Sequence, residues 1–191
     1  MARGLYRMID KYGEFSSLAV SGQCCAGKST LCRILSKKLK WKHVDVGSEF
    51  RKIAKLQGLR IEEFGSIPDE ILRNIDDQIC HGIETKEYTI WDGRLTCYLA
   101  RDKTMVFKVY CTANLDIRAN RAANRDNISI EEAKKNVLAR DAEEARVFKR
   151  LYGFSDPYDP KWANLYLDTS SDSPEELANI VIQMLRTLAG Y

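Results

Sequence analysis

Residues Gly22-Gln-Cys-Cys-Ala-Gly27-Lys28-Ser29 carry the spacing glycine, four residues, Gly-Lys-Ser, and each residue type there has a use in holding phosphate. Glycines let a backbone wrap an anion closely, and successive N–H groups with the helix N-terminus that follows point at its oxygens. In such a loop the amine of Lys28 reaches the β- and γ-phosphate oxygens and the hydroxyl of Ser29 ligates Mg²⁺. Gln23, Ala26 and Thr30 complete the cradle and the start of its helix. Cys24 and Cys25 fill the variable positions. They are either small residues whose amides do the binding, or thiols that the helix N-terminus could activate.

Other charged residues fall at places that suit the same chemistry. A short apolar run ends in Asp92-Gly-Arg94, and a carboxylate at the C-terminal end of a neighbouring parallel strand is where a Mg²⁺ shell is completed, here through water. The competing reading of Asp92 is a cap for the next helix. Arg118, Arg121 and Arg125 recur at helical spacing on one face, where like charges repel by a few tenths of a kcal/mol per pair; a bound anion or plain solvation would relieve them. Arg140, Arg146, Lys149 and Arg150 crowd another helix beside Asp141, Glu143 and Glu144, with Arg140/Glu144 and Glu143/Arg146 at pairing distance in sequence. Arg51 and Asp45 stand near a second strand end, where a second phosphate group would need an anchor.

The elements that must position these residues alternate between strand and helix. Apolar runs at 15–21, 43–46, 88–92, 105–111 and 165–168 have strand length. Helical patterns cover 28–40, 49 to about 56, about 68–86, 115–124, about 130–151 and the residues after Pro174. Ser129 with Glu132 forms a capping box, and Ser173 caps the last helix with Pro174 at its first position. Strands that are apolar throughout and alternate with helices mean a parallel sheet covered on both faces. The fold class expected is α/β, doubly wound, in one domain.

Composition bounds the rest. The 191 residues carry a net charge of +3, too near neutral for a nucleic-acid coat protein. The charge is uneven: residues 1–150 hold 28 basic and 21 acidic side chains, and 151–191 hold 2 and 6. No apolar run approaches the ~20 residues of a membrane span, and the N-terminus lacks the apolar stretch of a secretory signal. The six cysteines and two histidines form no four-ligand zinc spacing. A cytoplasmic protein with reduced thiols is the expectation, with no membrane partner and no obligatory nucleic acid.

Taken in order, Gly22–Thr30, His43-Val-Asp-Val-Gly-Ser-Glu-Phe-Arg51, Asp92-Gly-Arg94, Asp116-Ile-Arg-Ala-Asn-Arg121 and Leu165-Tyr-Leu-Asp-Thr-Ser170 resemble the short, archaeal-type cytidylate kinases, relatives of adenylate kinase among the P-loop nucleoside-monophosphate kinases. The likeness runs from about residue 17 to 188. It implies a five-stranded parallel sheet of order 2-3-1-4-5, an acceptor-binding part at about 47–86 and a short lid at about 126–156. It also implies ATP-dependent, Mg²⁺-assisted in-line phosphorylation of CMP or dCMP by a monomer. On this resemblance Arg51, Arg94, Asp45 and Arg146 serve the acceptor, and Arg121 lies against the donor nucleotide. Lys28, Arg125 and Arg140 contact the transferring phosphates, and residues 169–172 flank the donor base. Three positions depart from the family pattern: Val147 stands where a lid arginine is usual, with Arg146 as its neighbour; Val46 replaces a small residue; and Asp92 replaces a glutamate. Two other readings fit the same residues. One is a P-loop kinase of another small acceptor, such as AMP or a coenzyme precursor. The other is an ATP-binding, RNA-associated module without transferase activity, to which the basic residues Arg3, Arg7 and Lys11 would belong.

Overall fold

A computed structural model describes residues 15–56, 65–154, 156 and 159–188; the N-terminal basic residues Arg3, Arg7 and Lys11 lie outside them. Five strands form one parallel sheet: β1 (Ser17–Gly22), β2 (Lys42–Asp45), β3 (Thr89–Asp92), β4 (Val106–Thr112) and β5 (Leu165–Asp168), in the order β2-β3-β1-β4-β5. Every neighbouring pair is parallel, and the strand order is the one expected. Among the described residues seven α-helices connect and follow the strands: α1 (Lys28–Leu39), α2 (Val46–Leu56), α3 (Asp69–Thr85), α4 (Thr96–Leu99), α5 (Leu115–Asp126), α6 (Ile130–Tyr152) and α7 (Pro174–Leu188).

Strand side chains alternate between two faces, and the core divides accordingly. Leu18, Val20, Ile90, Phe107 and Val109 face α1 and α7, meeting Leu31, Leu35, Val181 and Leu185. Ala19, Trp91 and Val106 face the other way, against Leu72, Ile75, Ile79 and Ile83 of α3 and Val147, Phe148 and Leu151 of α6. Trp91 is large enough to reach the α3 backbone: a Cβ at Gly82 would stand 2.3 Å from its ring.

Several boundaries differ from the sequence reading, each for a local reason. The helix expected from Glu49 begins at Val46, because the Asp45 carboxylate accepts the Ser48 amide at 3.0 Å and its hydroxyl at 2.6 Å, so strand passes directly into helix. Tyr88 has φ +53°, which delays β3 to Thr89. The short helix α4 was not expected. Asp92 is not its cap, since Leu95 occupies that position. Ser129 does cap α6, accepting the Glu132 amide at 3.2 Å, and Ser173 and Glu176 exchange the two bonds of a capping box.

The C-terminal end of α6 is fastened to α3. Arg73 donates to the Leu151 carbonyl at 2.8 Å, Arg150 pairs with Asp69 at 2.7 Å, and the Tyr152 hydroxyl donates to the Asp76 carboxylate. Burial pushes the Asp76 carboxyl up to about 6, and the Tyr152 hydrogen bond only partly offsets it. A carboxyl whose folded pKa is raised favours the native state at low pH and withdraws that support as pH climbs through the folded value. A shift of that size corresponds to ~3 kcal/mol. The Asp76→Asn variant should therefore gain stability over wild type by ~2–3 kcal/mol more at about pH 7 than at about pH 4 in urea unfolding. A pH-independent difference would show that Asp76 does not titrate with folding.

Candidate active site

The loop between β1 and α1 is shaped by two glycines. Gly22 has φ +145°, and a Cβ there would lie 2.0 Å from the Cys111 carbonyl oxygen, so β4 presses on the loop where only glycine fits. Gly27 has φ +81° and caps α1, a left-handed turn that glycine takes without cost. Cys25 also has positive φ, +59°, and its side chain is half-buried.

Lys28 is buried and donates to the Gln23 carbonyl across the loop at 2.7 Å. Burial first, and then the charge of Arg94, push its amine below the ordinary lysine range. Two cations are thus brought close at one sheet edge. Arg94, from the turn after β3, pairs with Glu144 of α6 at 2.7 Å and stands 3.9 Å from Asp141. Burial raises the Glu144 carboxyl against the pull of Arg94 and Arg140. Arg140 makes no ion pair among the described residues and is half-buried beside this cluster.

The arginines of α5 do not share one role. Arg118 is buried, and it donates to Asp141 at 2.5 Å and to the Cys24 carbonyl at 3.3 Å. Arg121 grips the end of β5, donating to the Thr169 hydroxyl at 3.0 Å and carbonyl at 2.6 Å, and to the Cys25 carbonyl at 3.4 Å. The Thr169 hydroxyl passes the contact on to the Ala26 carbonyl at 3.0 Å. Arg125 lies bidentate on Asp126 and reaches the Cys25 sulfur at 3.7 Å. The repulsion expected along this face is relieved mainly by protein acceptors.

At the second strand end Arg51 donates to Ser48 at 2.7 Å and to Asp45 at 3.2 Å. Burial raises the Asp45 carboxyl, but the Ser48 bonds and Arg51 outweigh it and hold it below the usual range. Arg146 stands apart. It is exposed and bound to Glu143 at 2.7 Å, on the other side of α6 from Glu144, beside Gly65. Val147 is fully buried in the core between α6 and the sheet.

Ser29 and Thr30 are exposed at the start of α1. Ser29 and Asp92 offer a hydroxyl and a carboxylate, a hard oxygen set that suits Mg²⁺ with the remaining positions filled by water and phosphate. Asp92 is 3% exposed and 3.2 Å from His43 Nε2. Cys32 joins this pair, the three ligand atoms lying within 4.8 Å of one another, a proximity that no spacing in the sequence announced. Asp141 was also missed as a loop contact: it accepts the Cys24 amide at 3.2 Å, across 117 positions of sequence.

Residues 67–171 match the family model of the cytidylate kinase-like family. Cytidylate kinase of Pyrococcus abyssi is 34% identical over 86% of this chain and 90% of its own length. That of Sulfurisphaera tokodaii is 32% identical over 86% and 92%. Among solved structures, a gluconokinase from Sinorhizobium meliloti superposes with TM-score 0.62 at 12% identity, covering 93% of this chain and 95% of that one. A shikimate kinase from Acinetobacter baumannii in complex with shikimate gives 0.60 at 18%, covering 91% and 94%. These last two show the fold alone. Among the described residues no helix is long and apolar enough to cross a membrane.

The close approach at Gly22 sets a test. Gly22→Ala should lose at least ~2 kcal/mol, from the clash with Cys111 and the backbone strain together. Gly153→Ala, with φ +74° but nothing within 4 Å of its Cβ, should lose only ~1 kcal/mol. Equal losses in thermal or urea unfolding would mean that β4 does not constrain the loop.

Proposed function

We propose that this chain, which belongs to the cytidylate kinase-like family and is a phosphotransferase, moves the γ-phosphoryl group of ATP to CMP or dCMP with the help of Mg²⁺. The observation that carries the reading is the convergence of Lys28, Arg94, Arg140 and the glycine-shaped loop at one sheet edge. In this reading residues 1–191 make a single P-loop kinase domain. The segment at about 47–86 holds the acceptor, and the segment at about 126–156, mostly α6, acts as the lid.

The transfer is in line. An oxygen of the acceptor phosphate forms a bond to the γ-phosphorus as the bond to the β–γ bridging oxygen breaks. The acceptor phosphate is already ionised near neutral pH, so no general base is required, and positioning with charge neutralisation supplies the catalysis. The loop amides of Gly22–Thr30 and the Lys28 amine hold the donor's phosphates, and Arg121 fixes the loop against the end of β5. Arg94 turns from Glu144 to the acceptor phosphate, with Arg51 and Asp45 at its outer side. Arg125 and Arg140 face the transferring group from the lid side, and lid closure keeps water out. Arg146 would reach the acceptor only by leaving Glu143. Ser29 and Asp92, the latter through water, would hold the Mg²⁺, which when bound neutralises charge on the donor phosphates. A soluble, cytoplasmic monomer acting on nucleotides alone completes the proposal.

A coupled assay with ATP over CMP, dCMP, UMP, AMP and GMP tests the substrate. CMP and dCMP should be turned over with the highest kcat/KM; preference for AMP, or no turnover of any monophosphate, would overturn the assignment. The Lys28→Ala variant should lose about a thousandfold in kcat, and near-wild-type turnover would remove Lys28 from the mechanism.

A further inference from the structure

The phosphotransfer reading gives no use to the side chains of two adjacent cysteines in the loop. Their sulfurs lie 3.6 Å apart, and Cys25 is held in a left-handed backbone conformation at φ +59°, which a cysteine rarely adopts. Cations surround them. Arg125 Nη1 is 3.7 Å from the Cys25 sulfur, and the charges of Arg94 and Arg140 act on Cys24. Carboxylates face the pair too: Asp141 accepts the Cys24 amide, with Glu144 close behind Arg94. The hydrogen bond from Cys25, with the arginines, holds the Cys24 thiol well below the ordinary range against the opposing effect of burial. The pair therefore lies among arginines, in a loop shaped to receive an anion.

Among the six cysteines the pair is distinctive. Cys32, Cys97 and Cys111 are fully buried, and burial raises each of their thiols. Cys80 is half-buried, as Cys25 is, and burial, Asp76 and Asp77 raise it. The bond to Cys24 and burial raise the Cys25 thiol as well, so what sets it apart is geometric: partial access, an arginine at its sulfur and a second sulfur within reach. Those are the features of a cysteine that peroxide oxidises and a neighbour resolves.

We propose that Cys24 and Cys25 form a reversible oxidation site in the phosphate loop, closed by a peroxide to a disulfide between adjacent residues and protected when a nucleotide's phosphates fill the loop. The chemistry balances in two steps. A proton passes from Cys25 to Cys24 across their hydrogen bond, and the Cys25 thiolate attacks one oxygen of hydrogen peroxide. The O–O bond breaks, leaving a Cys25 sulfenic acid and hydroxide, which takes up a proton to become water. The Cys24 sulfur then displaces the sulfenic oxygen as a second water, and two electrons in all have passed from the thiols to the peroxide. Adjacent α-carbons are closer than an ordinary disulfide accommodates, which makes such a bond readily reduced by a thiol. Closing it must turn the 24–25 peptide. That turn takes the Cys24 carbonyl away from Arg118 and disturbs the loop shape that holds phosphate. The last step rests on the phosphotransfer reading; the thiol chemistry does not.

The test uses the full chain treated with hydrogen peroxide, excess peroxide being removed by catalase. Intact mass should fall by two hydrogens with no oxygen added. Titratable thiols should drop from six to four, the loss mapping to the peptide that carries Cys24 and Cys25, and dithiothreitol should restore all of them. Phosphotransfer should fall about a hundredfold and return on reduction. ATP with Mg²⁺, well above its Kd, should slow closure by about tenfold or more. In Cys25→Ser, whatever its starting activity, peroxide should no longer change the rate. Oxygen adducts without loss of two thiols, earlier oxidation of Cys80, or peroxide inactivation of Cys25→Ser at the wild-type rate would each overturn the site. Closure that ATP does not slow would overturn its coupling to phosphate. Failure of the kinase reading is distinguishable, because mass and thiol count are read with no substrate present.

Discussion

Positive charge gathered in a nearly dry place is the constraint around which the rest of this molecule is arranged. Lys28, Arg94 and Arg118 converge beneath α6, with Arg118 only 5% exposed. A buried cation without a partner costs several kcal/mol, so the fold must bring carboxylates to it. It does so from α6, where Asp141 and Glu144 stand one turn apart and take Arg118 and Arg94. Asp141 also accepts the loop amide of Cys24, so a carboxylate oxygen sits on an amide that a phosphate oxygen would otherwise receive. The helix α6 is thereby held over the loop by its carboxylates. Its other end is tied to α3 through Tyr152, Arg73 and Arg150, and α3 in turn packs on Trp91 of β3. The loop, α6 and α3 are therefore mechanically continuous, through an ion-pair cluster at one end and an ion pair with hydrogen bonds at the other.

Register explains why these groups meet. In the parallel sheet Asp45 lies opposite Asp92, Val20 opposite Asp92, and Gly22 opposite Cys111. The strands end in step, so the carboxylates, the glycine turn and the following helix starts all emerge at one edge, where α/β folds collect their ligands. A slip of one residue in β3 would turn Asp92 toward the other face and put Trp91 in its place. The Trp91 ring fills the space left by Gly82 and so opposes that slip. Apolar packing in one layer thus fixes the placement of a carboxylate in another.

Much of this was legible from the residues. The order of strands and helices followed from apolar runs and caps, and the Gly22–Ser29 loop from its spacing between an expected strand and an expected helix. What stayed hidden had a common physical cause: contacts between residues far apart in sequence. Asp141 reaches Cys24 and Arg118 at separations of 117 and 23 residues, and Glu144 pairs with Arg94 rather than with Arg140, its neighbour one helical turn away. The start of α2 was misread because Asp45 works as a local cap, a strand residue whose side chain turns back to the Ser48 amide. Cys32, His43 and Asp92 come from α1, β2 and β3, and only the parallel crossovers bring them within 4.8 Å.

The uneven charge of the chain takes on a sharper meaning in this light. Its basic surplus over residues 1–150 includes Lys28, Arg51, Arg94 and the arginines of α5 and α6. In the folded chain most of those arginines already have carboxylates: Arg51 with Asp45, Arg94 with Glu144, Arg118 with Asp141, Arg125 with Asp126 and Arg146 with Glu143. Among the described candidate cations, Lys28, Arg121 and Arg140 have no ion pair, and Lys28 and Arg121 rest on carbonyl oxygens instead. A carbonyl carries only a partial charge, so an incoming phosphate gains more from these three than from cations whose ion pairs must first be broken. Donor phosphates would then be met first by Lys28 and Arg140. The paired Arg94 and Arg51 would be recruited at the expense of their carboxylates. In the proposed reading Arg94 leaves Glu144 for the acceptor phosphate, while Asp141 still holds α6 to Arg118 and to the Cys24 amide, so the helix stays over the loop as its second contact is exchanged.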